Sequence, residues 1–308
     1  MELLTNNKLN VMNFRFLIIF FSSILFFSAC KKEGCTDSTA INYDSEAKKN
    51  SGCVYERILT IKEPVIISDS AMNTGEIEIR IVPKANDRRF YLNEVYRENN
   101  DRRFRINKFK YFVSNVKLGD KSTVKANITD IELIDYDTSS FLSETRPIYD
   151  HIIDGKIKAG MYNRVFLGCG VDPIWNEEYA PNDYPTDHPL NTTYTNMAWT
   201  WETKYIFTSI EGEIDSDGDN TYDRSFFMHT GFNELYSQVI LPIGEFEVKE
   251  DSKTIINLEL DIIKVFAGLD IATKEGQTHS SGAEQLEYSR TIQTNLANNI
   301  KFVGVTYE

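Results

Sequence analysis

Hydrophobic and polar positions alternate with a period of two along much of the chain, which puts successive side chains on opposite faces of a strand. Ile77, Ile79 and Ile81 alternate with Glu78 and Arg80 in a strand expected over Gly75 to Pro83. Ile256, Leu258, Leu260 and Ile262 mark another over Thr254 to Ile263. Further strands are expected over Arg57 to Asp69, Phe104 to Leu118, Ile128 to Asp137, Gly160 to Val171 and Ser237 to Leu241. A break in phase near Lys108 suggests a bulge. The run Asn86 to Phe90 reappears as Asn100 to Phe104, and this near-repeat predicts a hairpin of similar strands with its arginines in solvent. From Ala283 to Ile300 the spacing changes: Leu286, Ile292, Leu296 and Ile300 fall on one helix face, and KFVGVTY closes the chain as a strand. Strands dominate. The expected fold is all-β, an immunoglobulin-like β-sandwich with a C-terminal helix and, ahead of it, a small N-terminal disulfide module.

The segment from His188 to Gly231 carries the densest set of potential ligands. Trp199, Trp201, Tyr205 and Phe207 occupy odd positions, so a strand running to Glu211 would present them on one face. An acidic turn follows, and Asp217-Gly218 opens a return run from Arg224 to Thr230. That hairpin brings His229 beside the first strand, with His188 expected near it at the entry to the segment. The stretch Trp175 to Asn196 is a proline-containing loop, long enough to suggest a functional role.

Composition narrows the partners. A formal charge of −13 over 308 residues argues against nucleic acid, which demands concentrated lysine and arginine. Residues 14 to 29, FRFLIIFFSSILFFSA, are too short for a spanning helix and end in small residues, as an export signal does. The end, Phe27-Ser28-Ala29-Cys30, resembles a bacterial lipobox, which implies lipidation of Cys30. Lys31-Lys32-Glu33 resembles the signature that sends lipoproteins to the outer face of the outer membrane. The expected localisation is therefore the outer membrane, exposed at the cell surface, with a lipid anchor as the membrane contact. Cys35 and Cys53 bracket a segment that resembles a short Asp/Asn-rich module of exported bacterial proteins. A Cys35–Cys53 disulfide is expected there, since so short a piece has little core of its own. Cys169, in an apolar strand, reads as a buried inert thiol. The domain reading is a signal peptide over 1–29, a lipidated spacer module over 30–56 and a sandwich over 57–308.

Four runs in order, FKYFVSNVKL (109–118), GMYNRVFLGCGVDP (160–173), HPLN with NMAWTWETKYIFTSIEG (188–212) and FFMHTG (226–231), resemble the MbnP-like domain family of exported copper-binding proteins. The resemblance implies a β-sandwich, and a mononuclear copper site of histidines and a tryptophan that a di-haem partner protein oxidises. Carried onto this chain, the matching positions are His188, Met197, Trp199, Trp201 and His229. It also implies a di-haem partner or an outer-membrane receptor.

From the residues alone, copper needs converging imidazole or thioether donors. His188, His229 and His279 offer nitrogen, and Met197 offers sulfur. The alternative is that His229 is a core histidine, His188 a loop residue, and Trp199 and Trp201 plain core aromatics. Trp175 reads as a surface anchor. Asp215, Asp217, Asp219 and Asp223 follow a calcium-loop spacing, although Asn220 stands where that loop has glycine and Phe226 where it has the bidentate glutamate. A weak calcium site and an acidic hairpin turn stay open together. No G-x-S-x-G, H-E-x-x-H or phosphate-cradling glycine loop is present, so no enzyme is expected. The function expected is a cell-envelope lipoprotein that binds copper for acquisition or storage. The alternative is a non-catalytic surface interaction protein without a transition metal, with calcium as a structural ion.

Overall fold

The computed structural model describes residues 32–34, 43–50, 73–98, 100–121, 123–136, 150–202 and 204–308. The chain divides into two units, Met1–Ser68 and Asp69–Glu308. In the first, Glu33–Gly34 pairs in parallel with Lys49–Asn50, and Lys32 holds Asp44 at 2.9 Å and Glu46 at 3.0 Å. The export segment 14–29, Cys30, Cys35, Cys53 and the strand expected over 57–69 lie outside the described residues.

The second unit is built on two sheets. Its strands are β1 (Thr74–Ala85), β2 (Arg103–Asp120), β3 (Thr123–Asp135), β4 (His151–Lys158), β5 (Gly160–Cys169), β6 (Ile206–Ile214), β7 (Arg224–Gly231), β8 (Ser237–Val248), β9 (Lys253–Asp261), the short β10 (Gln277–Thr278) and β11 (Ile300–Tyr307). Helix α1 (Gly282–Asn299) lies between β10 and β11. One sheet is eight-stranded and runs β8-β5-β2-β6-β7-β10, with β3 and Tyr96–Arg97 also on β2. The other is five-stranded and runs β11-β9-β1, with β4 and the short Arg88–Arg89 also on β1. The alternation read from the sequence is the physical cause of the two layers. Ile77, Ile79 and Ile81 on β1 and Ile256, Leu258 and Leu260 on β9 are buried, as are Phe104, Ile106 and Phe109 on β2. Burying each such side chain contributes roughly 1.5–3 kcal/mol. A second apolar cluster forms where Phe112, Val171, Leu190, Met197, Trp199, Tyr205 and Phe207 pack together, drawing in the 173–199 segment.

Several expectations are corrected. The molecule is mostly β with two mixed sheets and a C-terminal helix, broadly immunoglobulin-like, and β9 with β1 and β7 with β10 pair in parallel. The expected disulfide module does not stand: among the described residues there is no disulfide, and Cys169 is a free buried thiol. The two NDRRF copies do not form a hairpin with each other. Arg88–Arg89 pairs with β1 in one sheet, whereas the second copy turns at Asp101, φ 65°, into β2 of the other. Of their arginines, Arg88 is in solvent as expected, whereas Arg89 pairs with Asp150, and Arg102 meets both Glu98 at 2.9 Å and Asp270 at 2.5 Å. Nor does the tryptophan run form a strand. Only an isolated bridge joins Ala198 to Tyr205, and Trp199 N bonds Lys204 O at 3.4 Å, so the strand begins at Ile206. The bulge expected near Lys108 is present: Glu211 pairs with Lys108 but Gly212 pairs with Ile106, which leaves Asn107 as the extra residue.

Candidate functional site

The site grows out of the hairpin β6–β7. Ser209 faces His229 in the register, and Glu211 faces Phe227, so Glu211 and His229 are diagonal neighbours on one face. On the other side of β6, Lys108 of β2 lies opposite Glu211. The result is a polar chain across three strands: Lys108 Nζ donates to Glu211 Oε1 at 2.8 Å, and His229 Nε2 lies 2.9 Å from the same oxygen. The His229 hydrogen bond holds the Glu211 carboxyl down at about 2; burial opposes this, and Lys108 adds to it.

His279 arrives from the far end of the chain. β10 pairs in parallel with β7, Phe227 with Gln277 and Met228 with Thr278, so the next residue on each strand is His229 and His279. Their Nδ1 atoms are 3.2 Å apart. Phe227 stacks on the His279 ring at 4.7 Å, and Trp201 meets it edge-on at 5.3 Å. Burial lowers the affinity of His279 for a proton, and His229 lowers it further while Glu211 opposes them. A neutral imidazole is the form that can bind a metal.

Helix α1 fixes the His279 loop from beneath. Gln285 Oε1 accepts from the His279 amide at 3.0 Å, and Ser289 Oγ lies 2.8 Å from Ser280 Oγ and 3.2 Å from Thr278 Oγ1. Ser280 Oγ accepts from the Gly231 amide at 3.2 Å and lies 3.3 Å from the His229 carbonyl oxygen. Gln293 Nε2 donates to Thr208 Oγ1 and Thr230 Oγ1 at 3.1 and 2.7 Å. Gln285, Ser289 and Gln293, four residues apart, thus form one polar stripe beside the buried Ile292 and Leu296. The apolar face of the helix is legible in the sequence, and this polar stripe is not.

Not all the candidate donors meet. His188 stacks on Tyr184 at 4.3 Å, and its Nδ1 accepts from the Leu190 amide at 3.1 Å. Partial burial lowers its proton affinity, against the pull of Asp187 and of Glu132 on β3. The contacts of His188 are thus with its own loop, at Tyr184 and Leu190. Met197 is wholly buried in the apolar cluster with Trp199 and Leu190. Trp199 is also buried and stacks on Phe232 at 5.2 Å, whereas Trp201 is 63% exposed at the rim of the histidine pair. Trp175 packs partly buried against the apolar cluster rather than standing free as an anchor.

The acidic turn between β6 and β7 is a separate place. Asp215, Asp217 and Asp223 each offer an oxygen within 4.8 Å of the others, a group able to hold a metal ion. Asp215 is buried and accepts from Gly218 N at 2.8 Å and Asn220 N at 3.0 Å, with Arg103 Nε 3.6 Å from its second oxygen. Both Asp223 oxygens accept from Ser216, and Asp219 Oδ1 accepts from Thr221 N at 2.7 Å. Much of the carboxylate capacity is thereby used by the turn itself.

Residues 74–281 match the family model described as MbnP. Among solved structures, "MbnP from Methylosinus trichosporium" matches with 14% identity and a TM-score of 0.43, covering 64% of this chain and 78% of that one. No curated protein matches the sequence.

Proposed function

The chain belongs to the MbnP family, and from that premise we propose that it binds copper at His229 and His279, in acquisition or storage and without turnover. The single observation that carries this reading is the 3.2 Å separation of the two Nδ1 atoms. Two imidazole nitrogens so close can meet one ion through bonds of about 2 Å, and imidazole is a donor that suits copper. The donor set fits the group. His229 and His279 would hold the ion, Phe227 and Trp201 would screen it from water, and α1 would keep the His279 loop in place. The copper would be stored or handed on.

Equilibrium dialysis of the protein against copper, followed by metal analysis, tests the reading. About one copper per chain is expected, as for a mononuclear site, and His229→Ala or His279→Ala should each abolish tight uptake while unfolding stays cooperative. Uptake unchanged in both variants would overturn the assignment. Loss of uptake in His188→Ala but not in the other two would point to a different site.

A second reading, calcium at Asp215, Asp217 and Asp223, is favoured by their converging oxygens. A rise in melting temperature with millimolar calcium, lost in Asp217→Asn, would support it. The lipobox-like end at Cys30 supports a lipid anchor at the outer membrane, tested by metabolic labelling with a radioactive fatty acid and its loss in Cys30→Ser. The competing interaction-protein reading predicts no copper uptake at all.

A further inference from the structure

We infer that Glu211 is a positioning residue that selects Nδ1 of His229 as the metal-facing nitrogen. The inference rests on the copper reading for its consequence, but the tautomer itself is a property of the metal-free protein.

An ionised carboxylate can only accept hydrogen bonds. Glu211 Oε1 already accepts from the ammonium of Lys108 at 2.8 Å, and the only further partner its 2.9 Å contact with His229 allows is an N–H. The proton on a neutral His229 ring must therefore sit on Nε2. That leaves a lone pair on Nδ1, the atom that points at His279. A carboxylate behind a ligating imidazole both fixes the ring and raises its basicity. In the metal-free protein, two lone pairs at 3.2 Å would repel, so a neutral His279 presents Nδ1–H to His229; to hold a metal through Nδ1 it would release that proton to solvent and take one up at Nε2. The two histidines are thus asymmetric: His229 is ready for metal as it stands, and His279 has to change tautomer.

The arrangement is built by the sheet and not by a loop. Lys108, Glu211 and His229 come from β2, β6 and β7, adjacent strands whose registers fix their spacing. The Glu211 side chain is 35% exposed and that of His229 is 17% exposed. A substitution at position 211 can therefore be tested without emptying the core.

Nitrogen-15 NMR of the metal-free full chain, labelled at histidine, reads the tautomer directly. Four rings give few signals to assign. The neutral His229 ring should be protonated at Nε2 and bare at Nδ1. Glu211→Gln, whose amide oxygen can still accept from Nε2–H beside Lys108, should keep that tautomer. Glu211→Leu should lose it and show a mixture. Competition for Cu(I) against a colorimetric chelator should then give an affinity about 10–100-fold weaker in Glu211→Leu, with Glu211→Gln close to wild type. A wild-type His229 protonated at Nδ1, or a Glu211→Leu variant with unchanged tautomer and unchanged Cu(I) affinity, overturns the inference. If Glu211→Leu fails to fold, the wild-type and Glu211→Gln spectra still decide the tautomer. A wild-type protein that takes up no Cu(I) yet shows the Nε2–H tautomer would sink the copper reading and leave the role of Glu211 in orienting the ring standing.

Discussion

Gly231 decides whether the Trp199 pocket can exist. A Cβ built there would lie 2.3 Å from Trp199 Cη2 and 2.7 Å from the Tyr205 carbonyl oxygen, and the indole and the backbone cannot both yield. Gly231→Ala should lower stability by about 1–3 kcal/mol, the cost of overpacking a filled core, read by urea unfolding with tryptophan fluorescence as the probe. Cys169 offers a second check at this scale. Burial pushes its thiol up to about 12, so the native protein should resist alkylation at Cys169 at neutral pH, and mass mapping should find the label there only after unfolding. Glu211, by contrast, could not be singled out from the sequence, because one glutamate in an alternating strand looks like any solvated residue. His229 and His279 could both be marked as nitrogen donors, but their meeting could not be read. His279 sits 50 residues later in a stretch that reads as a polar loop.

The hairpin β6–β7, the short β10 and α1 act as one element around the histidines. Gln293 joins them: its amide serves the hydroxyls of Thr208 on β6 and Thr230 on β7, all three buried. Gln293→Ala should leave both hydroxyls short of a partner and cost on the order of 1–3 kcal/mol. It should also raise hydrogen exchange at the amides of β7 if the helix holds the sheet, whereas unchanged protection would show that the stripe is incidental. The long hairpin strands and the helix were legible because each spans enough residues for a period to show. β10 was not, since two residues carry no periodicity and a parallel pairing leaves no turn to read. The misread tryptophan run has a different cause. Alternation over Trp199 to Phe207 imitated a strand, but Trp199 N closes on Lys204 O, and the loop so formed leaves Trp201 outside.

At the scale of the whole molecule, two sheets of alternating strands follow from the pattern of isoleucine, leucine and phenylalanine positions, and so the layered β fold was largely readable. The parallel pairing of β9 with β1 was not, because it joins segments whose registers span residues 76–84 and 253–261, and no local signal reports it. That pairing carries a buried carboxylate. Glu78 is 1% exposed; burial pushes its carboxyl up, but Lys253 and Arg80 together outweigh this and hold it below the ordinary glutamate value of 4.5. Below about that pH the unfolded chain takes a proton that the folded chain refuses, so the unfolded state binds more protons and stability falls as pH falls. Above it, the contribution is fully present. Glu78→Gln should therefore flatten the acid limb of a plot of stability against pH, and an unchanged limb would show that other carboxylates set it. Copper should act on the same whole. An ion that binds only the folded chain adds roughly 2.7 kcal/mol at a hundredfold excess over its Kd, so the melting temperature should rise with copper in the wild type and stay fixed in His279→Ala.

X-ray absorption at the copper edge of the loaded protein tests the central claim most directly. The account predicts two imidazole ligands with nitrogen scattering at about 2 Å in the wild type, and no protein-bound copper signal in dialysed His279→Ala. A copper signal with oxygen donors only, or an imidazole count that His229→Ala and His279→Ala both leave unchanged, would contradict it.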